Sequence, residues 1–176
     1  MEILIVGIFI VALMVFVSTK IKKSAAQAFE RETIETQDFR IIKPEGFVNP
    51  LREDSEFAFE AYSKDLGEKG ERNIWKAQVY LTVSAGLNYK SVRDAAKRQV
   101  DVILSEKASG NKSGGERICL IEGEKTEKET SYYEFRKIVE SRKQDKTYDL
   151  KISVLKSFRD EFAERIGEMI ESFTVK

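Results

Sequence analysis

The chain has 176 residues, with 30 lysines and arginines against 30 aspartates and glutamates, one cysteine and no histidine. A net charge of zero supplies no field to gather nucleic acid. Without histidine the commonest general base, the Ser-His and Cys-His nucleophile pairs and imidazole metal ligands are all excluded, and the lone Cys119 excludes an internal disulfide.

The first element is an uncharged run over residues 3–19, followed at once by Lys20, Lys22 and Lys23. As a helix it covers roughly 25 Å at about 1.5 Å per residue, slightly less than a hydrocarbon core of about 30 Å. Terminal lysines that reach for the headgroups make up the difference. The pattern predicts an N-terminal transmembrane helix in residues 1–23, kept as an anchor. A cleaved signal needs a basic stretch before the apolar run, and only Met1 and Glu2 stand there. Lysine bias on the far flank predicts a single span with a cytoplasmic soluble domain, the membrane itself being one partner.

Residues 24–38 read as a helical, then polar, stalk. Residues 39–176 read as one soluble α+β domain, large enough for its own core. A short strand at 39–43 is stopped by Pro44, and Pro44-Glu45-Gly46-Phe47 is a turn in which glycine permits positive φ. Alternation resumes at 57–62. It is clearest at 75–83, where Trp75, Ala77, Val79, Leu81 and Val83 share one face and Lys76, Gln78, Tyr80 and Thr82 the other.

The period then changes. Ser91 with Asp94 predicts a capped helix whose stripe runs through Val92, Ala96, Val100, Ile103 and Leu104. Residues 105–116 read as a flexible loop, and 117–123, 132–139 and 148–155 as strands. Ser157 with Asp160 predicts the cap of a final helix, striped by Phe158, Phe162, Ile166, Met169, Ile170 and Phe173. The order is β-β-β-α-β-β-β-α. Tight polar turns imply an antiparallel sheet, covered by the two helices.

That order, with Lys43-Pro44-Glu45-Gly46-Phe47 after the first strand and Ile170-Glu171-Ser172-Phe173 closing the last helix, resembles the PsbP-like superfamily over about 39–173. The resemblance implies an α-β-α sandwich acting as a non-enzymatic binding or assembly module. Metal sites in some members use histidine, so no catalytic, cofactor-binding or metal-binding residue carries over to this chain. Most bacterial and plastid members work outside the cytoplasm, which keeps an extracytoplasmic domain open as the alternative.

Four groups of residues invite a chemical reading. Cys119, between Ile118 and Leu120, reads as an inert buried thiol because no basic partner adjoins it. Gly114-Gly115 lacks the lysine and hydroxyl of a phosphate loop. Glu122, Glu124, Glu127 and Glu129 are interleaved with Lys125 and Lys128, the pattern of a solvated hairpin tip rather than a cation site. Asn111-Lys112-Ser113 fits a glycosylation sequon and carries no meaning in a cytoplasmic setting.

Tyr80 and Tyr132 carry the remaining expectation. If the helices leave their face open, they form an aromatic patch for a protein partner, beside Tyr133, Phe135 and Tyr148 on neighbouring strands; the plainer reading, which the pattern favours, is cross-strand aromatic packing under lysine and arginine stems. The sequence therefore reads as a membrane-anchored interaction or assembly module with no cofactor and no metal. A tethered carrier or sensor of a small apolar ligand is the alternative, and an enzyme confined to carboxylates and lysines comes third.

Overall fold

The computed structural model describes residues 2–50, 55–67, 74–86, 88–110 and 115–176, with the side chains of 2–12, 22 and 24 outside the description. Helix α1 (Glu2–Ala28) leads into strands β1 (Glu32–Glu35), β2 (Phe39–Lys43), β3 (Phe47–Val48), β4 (Phe59–Ser63) and β5 (Ala77–Ala85). Helix α2 (Tyr89–Arg98) follows, then β6 (Val102–Gly110), β7 (Glu116–Glu127), β8 (Thr130–Ser141), β9 (Lys146–Leu155), α3 (Arg159–Ser172) and β10 (Thr174–Val175). The main sheet is seven-stranded in the order β3-β4-β5-β9-β8-β7-β6, and β1-β2-β10 form a small second sheet. Their described ladders are antiparallel.

Alternation decides which face of the main sheet becomes core. Ala77, Val79 and Leu81 of β5 stand opposite Val154, Ile152 and Leu150 of β9, and all six are fully buried. Helix α3 lays Phe162, Ile166 and Met169 over them, and Phe39 and Ile41 of β2 close the side. Each such large side chain removed from water stabilises by about 2 kcal/mol. Phe47 meets Phe162 edge-on at 5.7 Å between ring centroids, and Phe173 packs 6.2 Å from Phe39 and 6.3 Å from Tyr148. On the opposite face α2 makes a smaller core, Ala96 against Cys119, Ile121 and Ile138.

The expected transmembrane helix is corrected. Among the described residues no helix is long and apolar enough to cross a membrane. Side chains of α1 are described from Leu13 onward, and residues 13–19 span about 10 Å, a third of a hydrocarbon core. Beyond them the helix runs on through Lys20 and Lys23 to Ala28. The part of the apolar run before Leu13 lies outside the described side chains. Within 24–38, read as a stalk, residues up to Ala28 belong to α1, and β1 pairs with β2 (Glu32 with Lys43, Glu35 with Arg40), so residues 32–35 belong to the small sheet.

Helix α2 also differs from expectation. It begins at Tyr89 without a side-chain cap from its own first turn, and it ends at Arg98. Glu140 of β8 accepts the Tyr89 N–H at 3.2 Å, so the sheet supplies the capping acceptor that Ser91 was expected to provide. The residues after it, assigned to helix and loop, form β6, which leaves Val102, Ile103 and Leu104 exposed and carries a bulge between Ile103 and Ser105. Pairing with β7 outweighs helical spacing here because Gly123 lets the two backbones close in. A Cβ at position 123 would stand 2.8 Å from the Val102 carbonyl oxygen. The sequon at 111–113 and Gly114 lie outside the described residues. The final helix is likewise uncapped by Ser157, which sits in a 3-10 turn (Lys156–Phe158) before α3.

Two outcomes follow for stability. Val79→Asp buries an unpaired carboxylate at the centre of the sheet and abolishes the folded state, read as loss of the cooperative melt by circular dichroism. The β7–β8 hairpin turns on Lys128 and Glu129, both at positive φ (48° and 72°). Replacing them with Asn-Gly relieves that strain and stabilises by about 1 kcal/mol in urea unfolding.

Candidate partner-binding face

The main sheet has one face given to α3 and another only half covered by α2. The uncovered half begins where α2 ends and extends across β5, β9 and β8 toward β4. Register puts Tyr80 beside Lys151, Gln78 beside Ser153, Ser153 beside Glu134, and Tyr132 beside Lys125. These side chains wall a groove of about 250 Å³. Tyr80 and Tyr132, singled out from the sequence, therefore stand half-buried in the wall of the same groove.

A row of rings extends the groove toward β4. Phe57 lies 4.5 Å from Tyr80, Tyr62 lies 5.9 Å from Tyr80 at 81°, and Trp75 lies 5.5 Å from Tyr62. All are half-buried. Alternation placed Trp75 on the core face, but the chain bends at Lys76, so β5 starts at Ala77 and the pattern does not extend back to Trp75. The ring row was legible only in part: Tyr62 and Tyr80 share a face by register, whereas Phe57 and Trp75 join them from outside the strands. Tyr62 donates to Glu60 Oε2 and Tyr80 to Gln78 Oε1, each at 2.9 Å. Burial, then those neighbours, hold the Tyr62 hydroxyl far above the usual tyrosine range.

Tyr133, Phe135 and Tyr148 occupy the other side. Tyr148 is core, its hydroxyl pushed up to about 12 by burial. Tyr133 stacks on Phe135 at 6.4 Å and carries the Arg159 guanidinium 4.4 Å from its centroid. They take no part in the groove.

Glu134 and Lys151 give the groove an ionic floor, backed by Arg136 and Asp149, which do not line it themselves. Arg136, 4% exposed, donates through Nε to Glu134 Oε1 at 2.7 Å and through Nη1 to Asp149 Oδ2 at 2.8 Å. Its Nη2 donates to Gln99 Oε1, which ties the end of α2 to the sheet. Lys151 Nζ stands 3.2 Å from Glu134 Oε2. Burial raises the Asp149 carboxyl above its ordinary 3.8 despite the opposing pull of Arg136.

The other sequence candidates are dispersed. Cys119 is buried under α2, and burial raises its thiol, which disfavours the thiolate a nucleophile needs. Glu124 pairs with Lys156 at 2.7 Å and Glu127 with Lys125 at 2.8 Å, and those lysines hold both carboxyls below their usual value. Among the described residues no three acids or thiols are placed to share a metal ion. Burial also lowers the Lys137 ammonium, which donates to the Ile170 and Phe173 carbonyls at 2.7 and 2.8 Å and so closes the end of α3.

Removing one member of the floor exposes its role. Arg136→Met leaves buried Glu134 short of its main partner and costs about 3 kcal/mol in urea unfolding, part of which a Glu134→Leu second change restores. For Asp149 the sign follows from a raised folded value: its contribution is full below the ordinary 3.8 and is lost as pH climbs from there through the raised value of the folded state. Wild type therefore loses stability relative to Asp149→Asn as pH rises from acid, in paired denaturation series.

No family model matches the chain, and no curated protein does. Solved structures do. LpqN of Mycobacterium tuberculosis, involved in cell envelope biogenesis, superposes with a TM-score of 0.58 at 11% identity, over 84% of this chain and 91% of that one. The cyanobacterial PsbP of Synechocystis superposes at 0.52 and 12% identity, over 84% and 92%. The Ran-binding protein Mog1p of Saccharomyces cerevisiae superposes at 0.52 and 13% identity, over 84% and 96%. At such identities the likeness is one of fold, and it agrees with the resemblance drawn from the Lys43–Phe47 turn and the closing helix. The chain has the α+β fold shared by PsbP and Mog1.

Proposed function

We propose that this chain is a non-enzymatic interaction or assembly module that seats a protein partner on the open half of its main sheet. One observation carries the reading: the aromatic row of Phe57, Tyr62, Trp75 and Tyr80 adjoins a groove that neither α2 nor α3 covers. Half-buried aromatics are the side chains most able to anchor a protein contact, because they offer large area at little entropic cost. The ionic floor favours the same use. Its charges are already paired within the fold, so it holds the groove's shape without offering an acid and base poised for chemistry. A Ran-binding protein of the same fold lends the reading further support. The apolar-carrier alternative has less behind it, since lysines, glutamates and hydroxyls wall the groove.

Site-directed photo-crosslinking in the cell of origin tests it. A benzophenone side chain at position 80 gives a discrete protein adduct, whereas one at exposed position 164 on α3 gives none. Trp75→Ala on the same chain weakens the adduct-forming complex by about 2 kcal/mol, roughly 30-fold. A folded protein with equal labelling from positions 80 and 164 would overturn the proposal.

A further inference from the structure

Alternation along β2 points Phe39, Ile41 and Lys43 to the same buried side, so position 43 calls for an apolar residue. A lysine stands there instead, only 1% exposed. A buried lysine of this kind needs partners. The ammonium has three N–H donors and meets three carbonyl oxygens: Ala28 at 2.9 Å, Glu30 at 2.6 Å and Phe47 at 3.0 Å. Ala28 is the last residue of α1, and Glu30 lies two residues beyond it.

The residue between them is held separately. The Gly46 N–H donates to the Phe29 carbonyl at 2.8 Å, and the Lys64 ammonium stands 5.8 Å from the Phe29 ring centroid. Gly46 reaches that carbonyl from a turn that needs its φ of 86°. The Glu32 carboxylate, 3.9 Å from Lys43 Nζ, adds a weaker tie from β1. Three consecutive residues at the exit of α1 are thus bound by Lys43, Gly46 and Lys64. A positive charge at the carboxyl end of a helix also suits its dipole.

We infer that Lys43, with Gly46 and Lys64, is a lock that fixes the direction in which α1 leaves the domain, so that helix and sheet move as one body. An ordinary capping lysine would stabilise the helix end and leave its direction free. The lock makes a different statement: whatever α1 engages is held at a set orientation to the sheet.

Electron-electron distance measurement on the full chain separates the two. Nitroxides go at exposed positions 18 and 143, in a Cys119→Ala background. The parent gives one narrow distance distribution. Lys43→Met, which keeps the buried face filled, broadens it by about 10 Å, the reach of a freed three-residue linker. A broad distribution in the parent overturns the inference, as does an unchanged narrow one in Lys43→Met. Should Lys43→Met fail to melt cooperatively, Lys64→Ala, which leaves the buried face intact, replaces it: broadening supports the lock and an unchanged width sinks it.

Discussion

The register between β5 and β9 is the constraint on which the rest depends. Nine residue pairs, from Ala77 with Val154 to Ala85 with Lys146, set Ala77, Val79, Leu81, Leu150, Ile152 and Val154 in the core that α3 covers. A one-residue slip of β5 against β9 would turn Val79 outward and put Tyr80 into the core. The same pairing therefore makes the hydrophobic core and exposes the aromatic and ionic face. Core and candidate site are two sides of one ladder, and neither can be altered by a shift in pairing without the other.

The charged side chains of the sheet have a second use at helix ends. Glu140 takes the first N–H of α2, Lys137 takes the last carbonyls of α3, and Lys43 takes the last carbonyl of α1. Each lies far along the chain from, or outside, the helix it serves. This arrangement couples helix formation to sheet formation, since neither α2 nor α3 has a side-chain hydrogen bond from its own N-cap residue. It also explains why buried charge is tolerated: Lys43, Glu134, Arg136 and Glu140 each have a backbone or ionic partner that repays desolvation.

Those long-range caps mark where sequence reasoning stops. The strands at 77–83 and 148–155 and the stripe Phe162, Ile166 and Met169 were legible because period alone encodes them. The local Ser-x-x-Asp patterns at Ser91 and Ser157 were misleading, because the true partners come from β8 or from none. Strand β6 was hidden since its residues suit a helix equally well, and only Gly123, far ahead in the chain, decides the matter. At the candidate face, Tyr80 and Tyr132 could be assigned to one side by counting. Arg136 and Glu134 could not, because an alternation of charge reads as solvent exposure until a helix end is found to cover it.

The margin of the sheet at β6 has a consequence for how the molecule behaves in a crowd. Three greasy residues on an edge strand would ordinarily invite another copy to pair alongside. Here the bulge between Ile103 and Ser105 breaks the straight row of peptide groups, and Glu106 and Lys107 follow Ser105. An antiparallel copy centred on Glu106 would oppose Glu106 to Glu106, and one centred on Lys107 would oppose Lys107 to Lys107. The strand thus disfavours those two pairings with its own image while leaving the margin open to unlike chains.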